Sequence, residues 1–385
     1  MTRTTKRLLL GSTVLALAVA CTGSPDAADS NGPTSAGAAV SVVLDPAARD
    51  PAARQTRIED FVDAAVQGSD RYQRMLRAFV LSIDGDVVVE RYAPGVAPSD
   101  TANTFSVTKS VMSALVGIAI DEGLIGGVDA TLGELLPEEA MPDPVRAVTL
   151  EQVLTMTGGF TDNDPFLAGD DWVQAILTDP ANRPGTNAFE YSDGSSHLLS
   201  AILTRATGRP VLDYAREKLF DPLEVGTRPA TVPTMLPGPA GDFAESVATY
   251  NAATGFAWSV DPTGLILGFS DLRITPRDML RIGQLYLDGG ERAGQRIVPA
   301  DWVSTATSAH VEQAGGFGNG YGYQWWVGGV DGHATFAAIG WAGQLIQVVP
   351  DLGLVVVASS NDDTVPLNAV SISSDLVAPI AAMLG

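Results

Sequence analysis

The sequence predicts an α+β fold: a mostly antiparallel sheet flanked by terminal helices, with a mostly helical lobe inserted between its halves. Three observations lead there. Strand-like segments fall near residues 78–90 and again after 321, so the sheet is built from both ends of the chain. Between about 122 and 268 the chain is loop-rich and helical, with no convincing alternation of apolar and polar residues. Helix signals bracket both strand-rich parts, the arrangement of a sheet packed by helices. With 385 residues the chain has room for one large domain or two lobes sharing a core.

In chain order, the first segment reads as targeting rather than fold. Arg3, Lys6 and Arg7 precede an apolar stretch, Leu8 to Ala20, too short to span a bilayer comfortably. The stretch ends in Leu17-Ala18-Val19-Ala20-Cys21, small residues before the chain's only cysteine. That ending resembles the bacterial lipobox, although Ala18 stands where leucine is preferred. A lone cysteine forms no internal disulfide, so acylation is the use such a context offers. The expectation is a signal peptide over 1–20 and a lipid anchor on Cys21 on the outer side of the cytoplasmic membrane, with simple secretion as the alternative. Residues 21–39, rich in Ser, Gly, Ala, Asp and Pro, read as a flexible tether, and the domain is expected to occupy 40–385.

Within the domain, Ile58 to Val66 has apolar residues at helical spacing. Ala78 to Ile83 and Val87 to Glu90 flank Asp84-Gly85, a hairpin signal. Ser106 opens an apolar helix running to about Glu122, with Gly123 as its cap. Thr149 to Gln152 has the pattern of a capping box. Thr275-Pro276-Arg277-Asp278 starts another helix, which runs through Leu287 and stops at Gly289-Gly290. Strands are expected at Tyr321 to Val327, Leu345 to Val349 and Leu354 to Ala358, the last two joined by Pro350-Asp351-Leu352-Gly353. A final helix is expected over Leu367 to Met383.

Composition narrows the function. A formal charge of −22 leaves no clustered Lys and Arg for phosphate backbones, so nucleic acid is excluded as a partner. His197, His310 and His333 are too scattered for a metal site, and no cofactor motif is found. No Gly-x-Ser-x-Gly elbow occurs. His197, on an expected helix, reads as a packed residue rather than a base.

The chemistry sits elsewhere. Only three lysines occur, Lys6, Lys109 and Lys218, and Lys109 follows Ser106 by three residues at a helix start. Residues i and i+3 share a helix face, so Ser106 Oγ and Lys109 Nζ come within hydrogen-bond reach. The first turn also aims free backbone N–H groups at whatever Ser106 attacks. Val111, Leu115 and Ile118 are apolar, which favours a buried setting over a solvated helix start. Ser-x-x-Lys alone is common, and the remaining segments supply the specificity.

Tyr191-Ser192-Asp193 resembles the Tyr-x-Asn element of class C β-lactamases and of related penicillin-binding proteins, carboxypeptidases and esterases. Thr149 to Gly159 is similar to a helix of that family, and Asp271 to Met279 to another of its stretches. Gly340-Trp341-Ala342-Gly343-Gln344 stands where the family places its Lys-Thr-Gly or His-x-Gly strand. The resemblance covers about Ala78 to Ser360 and implies a β-lactamase/transpeptidase-like fold. It implies that Ser106 is acylated, that Lys109 helps take its proton, and that Tyr191 works with Lys109 and later activates the deacylating water. The backbone N–H groups of Ser106 and Trp341 would form the oxyanion hole, and Asp193, Gly340 and Gly343 would border the substrate.

Two departures from the family pattern bear on substrate. Asp193 stands where asparagine is usual; an ionised carboxylate only accepts, and it favours a charged Lys109. Three roles stay open for it: binding a substrate N–H, binding a cation, or turning outward. Ala338 occupies the slot of the basic residue that holds a β-lactam or D-alanyl carboxylate. Its loss points toward small esters or amides, the form shared with 6-aminohexanoate-oligomer hydrolases, and away from an efficient β-lactamase or carboxypeptidase. The rival from another class is a penicillin-recognising sensor that is acylated without turnover.

Overall fold

The structure is a computed structural model, and it describes residues 50–161, 165–236, 248–361 and 367–385. The leader, Cys21 and the tether lie outside the described residues, as does the start of the domain before residue 50.

The first described helix, α1 (Pro51–Gln67), is capped by Asp50, whose carboxylate accepts from the Ala52 N–H. The expected hairpin follows as β1 (Leu76–Ile83) and β2 (Asp86–Tyr92), with Asp84 and Gly85 both at positive φ in the turn. The nucleophile segment opens α2 (Val107–Asp121), and residues from Val107 to Ala119 are all buried. The capping box at Thr149 starts the short α3 (Leu150–Leu154) as expected. Ser192 caps α4 (Asp193–Thr207), which Gly208 ends in a left-handed conformation. Thr275 and Asp278 form a second capping box at the start of α5 (Pro276–Leu287).

The expected strand at Tyr321 to Val327 is two strands. β3 (Gly320–Tyr321) turns back at residues 322–325 into β4 (Trp326–Val330), with Gln324 at φ 63° in the turn. A strand that the sequence pattern did not signal, β5 (His333–Gly340), comes next, followed by β6 (Gln344–Val349) and β7 (Leu354–Ser360). The chain ends in a helical run over 369–384. Among the described residues no helix is long and apolar enough to cross a membrane.

The seven strands form one sheet in the order β2-β1-β7-β6-β5-β4-β3, every pairing antiparallel. Strands from the two ends of the chain meet at its centre, where β1 pairs with β7 and Val80 lies opposite Val357. Both faces are covered, so the central strands carry apolar residues toward both faces instead of alternating. Leu345, Val349, Val356 and Ala358 point toward α1 and the C-terminal helical run, joining Ile58, Val62, Ile372 and Leu376 in one apolar cluster. Ile346, Val348, Val355 and Val357 point the other way, into a larger cluster that contains Leu115 of α2, Leu154 of α3 and Leu199 of α4. The helical lobe and one face of the sheet therefore share a single core, with α2 inside it.

Helix α5 lies close on that same face. A Cβ at Gly283 would sit 2.5 Å from Val355 Cγ1 and 2.8 Å from Ile346 Cγ2. Glycine in a helix interior costs up to about 1 kcal/mol, so the close approach is what retains it. Gly283→Val is expected to destabilise the fold by roughly 1–3 kcal/mol through overpacking, read as a lower urea midpoint at unchanged slope.

Candidate active site

Ser106 is the N-cap residue of α2, and the residue before it is strained. Phe105 has φ 48°, a conformation that costs a non-glycine residue of order 1–2 kcal/mol. The surroundings hold it there. Phe105 N–H donates to Asn103 Oδ1 at 2.8 Å, and Asn103 Nδ2 donates to Asp271 Oδ1 at 3.3 Å. Thr104 donates to the Leu272 carbonyl through both its N–H and its hydroxyl, each at 2.9 Å. Residues 102–103 pair with 273–274 in a short antiparallel ladder. The nucleophile turn is thus pinned to the segment 271–274, more than 160 residues away in sequence.

Lys109 lies one turn into α2 and is 1% exposed. Its Nζ donates to Ser106 Oγ at 2.9 Å, to Asp193 Oδ1 at 2.6 Å and to the Phe269 carbonyl at 3.0 Å. All three ammonium protons are in use, each toward a different segment. The outward-turned role left open for Asp193 is not what the structure shows: its carboxylate faces Lys109 as an ion pair. Asp193 is also the first residue of α4, where an acidic group suits the helix dipole.

Burial is the strongest influence on Lys109 and pulls its pKa down. Asp193, and then Tyr191, more than offset it, so the pKa lies above its ordinary value and the side chain is an ammonium. A group raised in this way stabilises the fold below its unfolded pKa, and the contribution is lost only as pH rises through the folded value. The buried pair is therefore no liability at neutral pH.

Tyr191 sits beside this ammonium, its ring centroid 5.0 Å from Lys109 Nζ. The ring stacks on Trp326 at 5.7 Å with an interplanar angle of 15°, and Tyr321 meets Trp326 edge-on at 5.0 Å. Among the tryptophans, Trp326 borders Tyr191 and is partly buried. Trp341 is 39% exposed, while Trp172 and Trp325 are core residues.

The remaining expected site residues divide. Gly340 ends β5 against the nucleophile turn: a Cβ there would fall on the Thr104 carbonyl oxygen and crowd Phe105. This contact brings the start of the Trp341 segment to the turn that carries Ser106. Gly343, at φ 81°, packs instead against Leu367 and Ile372 of the C-terminal region. Ala338 is buried in β5 opposite Ile346 and contributes no charge. His197 is a packed residue, fully buried, with Nε2 3.0 Å from Asp261 Oδ2 and its ring against Phe166, Trp172 and Phe269.

Two contributors escaped the sequence reading. The Phe269 carbonyl is a backbone group, and no residue type announces it. Gln324 ties three elements together. Its carbonyl accepts from the Ser110 hydroxyl at 2.6 Å, its Oε1 accepts from the Ser196 hydroxyl at 2.7 Å, and its Nε2 donates to the Leu154 carbonyl at 2.8 Å. A glutamine two residues before a tryptophan strand carries no recognisable signal for that role.

The comparisons with known proteins bear on the family and the fold. The chain belongs to the beta-lactamase family, which it matches over residues 60–372. It is 26% identical over 345 residues to the 6-aminohexanoate-dimer hydrolase of Paenarthrobacter ureafaciens, spanning 81% of this chain and 80% of that one. Its fold is similar to that of the octameric penicillin-binding protein homologue from Pyrococcus abyssi, with a TM-score of 0.61 at 17% identity, covering 85% of this chain and 77% of the other. It is also similar to a D-stereospecific amidohydrolase from Streptomyces, with a TM-score of 0.55 at 20% identity, covering 84% and 98%. The β-lactamase/transpeptidase-like fold expected from the sequence is therefore the fold of this chain.

Lys109 contributes to stability as well as to the site. Removing one partner of a buried ion pair leaves the other uncompensated and costs roughly 3–5 kcal/mol, and the partial exposure of Asp193 reduces that cost. Lys109→Met is expected to lower the melting temperature while ester turnover falls about a hundredfold to ten-thousandfold, the span for lost proton-transfer assistance. Calorimetric melting and a nitrophenyl ester assay on one preparation check both halves.

Proposed function

We propose that this hydrolase of the β-lactamase-like family is an exported serine hydrolase that forms an acyl-enzyme on Ser106 and cleaves a small ester or amide. The observation that carries the reading is the 2.9 Å hydrogen bond from the buried Lys109 ammonium to Ser106 Oγ at the start of α2. Because Oγ accepts that bond, its own proton is free to point elsewhere. Tyr191, whose ring centroid lies 5.0 Å from the ammonium, is the base in this reading, and Lys109 supplies charge and orientation. Attack by Oγ on the substrate carbonyl carbon gives an oxyanion that the N–H groups of Ser106 and Trp341 receive. Tyr191 returns the proton to the leaving oxygen or nitrogen, then takes one from the water that releases the acid.

The neutral Ala338 and the anionic Asp193 support substrates without a carboxylate at the β-lactam position. The family relatives named as a 6-aminohexanoate-dimer hydrolase and an amidohydrolase are consistent with an amide or ester. Export and anchoring through Cys21 rest on the sequence of the leader. A β-lactamase, a D-alanyl-D-alanine carboxypeptidase and a non-turnover sensor are the competing readings.

Intact-protein mass spectrometry of a form lacking residues 1–39, mixed with a short-chain nitrophenyl ester or with a penicillin, separates them. Ester turnover, little penicillin adduct and a dead Ser106→Ala are expected. A long-lived penicillin adduct would favour the sensor, and parental activity in Ser106→Ala would sink the nucleophile assignment.

The protonation of Lys109 gives a second test. Asp193→Asn removes the main cause that raises the Lys109 pKa and leaves burial, which lowers it. The ammonium is then lost at lower pH, so the alkaline limb of kcat/KM is expected to move toward neutrality. Movement of the acidic limb instead would show that the neutral amine is the working form.

A further inference from the structure

Behind Phe105 lies a cavity of about 380 Å³ that the catalytic reading does not use. Two guanidinium groups, Arg77 from β1 and Arg273 from the segment that pins the nucleophile turn, line it. Their charges are close enough to be felt: burial first, and then Arg273, hold the Arg77 pKa below its ordinary value, with Asp100 opposing. Among the described residues the Arg77 guanidinium makes no hydrogen bond or ion pair. Arg273 spends its Nε on Thr101 Oγ1 at 3.0 Å and stacks on the Tyr250 ring at 5.7 Å, and its two terminal nitrogens make no hydrogen bond among the described residues.

Tyr250, 4% exposed, belongs to the same lining, and its hydroxyl is buried without a hydrogen-bond partner among the described residues. A buried hydroxyl left unpaired costs about 1–3 kcal/mol, and the Arg273 charge is felt at Arg77, so an anionic acceptor placed here would relieve both. The one acidic group on its lining is Asp271, partly occupied by Asn103 Nδ2 and by the Ser270 hydroxyl at 3.1 Å. Burial raises the Asp271 pKa and so favours its neutral form, while Asp100 offsets one of the two guanidinium charges, which leaves a single positive charge unmatched.

We propose that this cavity is a carboxylate subsite in which Arg77, Arg273 and the Tyr250 hydroxyl hold a monoanionic group on the substrate. A carboxylate matches both the planar forks of the guanidinium groups and the one unmatched charge, whereas a phosphate dianion would overcharge the site. The location ties the subsite to catalysis, because Phe105 lines the cavity and precedes Ser106. The family position at Ala338 has lost its charge, while this cavity supplies two charges on the other side of the nucleophile turn. The substrate class that follows is an ester or amide of a short dicarboxylic acid, or one carrying a free carboxylate at similar reach. This inference rests on the serine-hydrolase reading for its link to turnover, but not for the binding itself.

Calorimetric titration of Ser106→Ala with glutarate and with inorganic phosphate tests the binding alone. Glutarate is expected to bind, phosphate more weakly, and Arg77→Gln to weaken glutarate about tenfold to a hundredfold, the span for a hydrogen bond to a charged group. Absent glutarate binding, binding indifferent to Arg77→Gln, or phosphate bound at least as tightly would each overturn the proposal. A companion measurement compares mono-nitrophenyl glutarate with nitrophenyl pentanoate as substrates. The kcat/KM ratio should favour the anionic ester in the parent and drop by a similar factor in Arg77→Gln, a ratio unaffected by partial unfolding. If neither ester is cleaved, the serine-hydrolase reading fails while the titration still decides the subsite.

Discussion

A buried ammonium with three hydrogen bonds, two of them to segments distant in sequence, is the constraint on which the site is built. Placing a charge in a core costs several kcal/mol unless it is paired and all its protons are taken. Lys109 meets that requirement with Ser106 on its own helix, Asp193 at 84 residues' remove and the Phe269 carbonyl at 160. The start of α4 and the segment before residue 271 must therefore both arrive at the first turn of α2. Once they do, Tyr191 is carried in by its neighbour Asp193, and residues 271–274 are positioned to pin the strained Phe105. The solvation of one side chain fixes the positions of most of the groups the chemistry uses.

The charge balance around that ammonium also separates this site from the family pattern. An asparagine would leave Lys109 dominated by burial and inclined to lose its proton. The carboxylate of Asp193 reverses the sign and holds Lys109 as a cation.

Much of this was legible in the sequence where the physics is local. The i, i+3 relation of Ser106 and Lys109, the capping boxes at Thr149 and Thr275 and the turn at Asp84-Gly85 each depend on residues within a few positions. What could not be read depends on long-range packing. Residues 333–340 form a strand although His333-Ala334-Thr335-Phe336-Ala337-Ala338-Ile339-Gly340 shows no clean alternation, because helices and neighbouring strands cover both of its faces. Residues 321–327 look like one strand in composition, and the reversal at Gln324 is set by hydrogen bonds to Ser110, Ser196 and Leu154 rather than by a turn-forming sequence. The orientation of Asp193 stayed open for the same reason, since its partner is contributed from another part of the chain. The Arg77 and Arg273 cavity joins residues 196 positions apart and has no motif at all.

The apolar cluster that runs unbroken from the sheet through α2 into the helical lobe has a consequence for how the molecule can change. Two lobes with separate cores could move as independent bodies. Here α2 belongs to both, and separating the lobes would expose Leu115 and the residues packed around it. The interior is thus close to a fixed gauge, and change is easiest at exposed positions near the Ser106 turn, such as Trp341. A lineage of such hydrolases would vary at those positions while the interior remains almost unchanged.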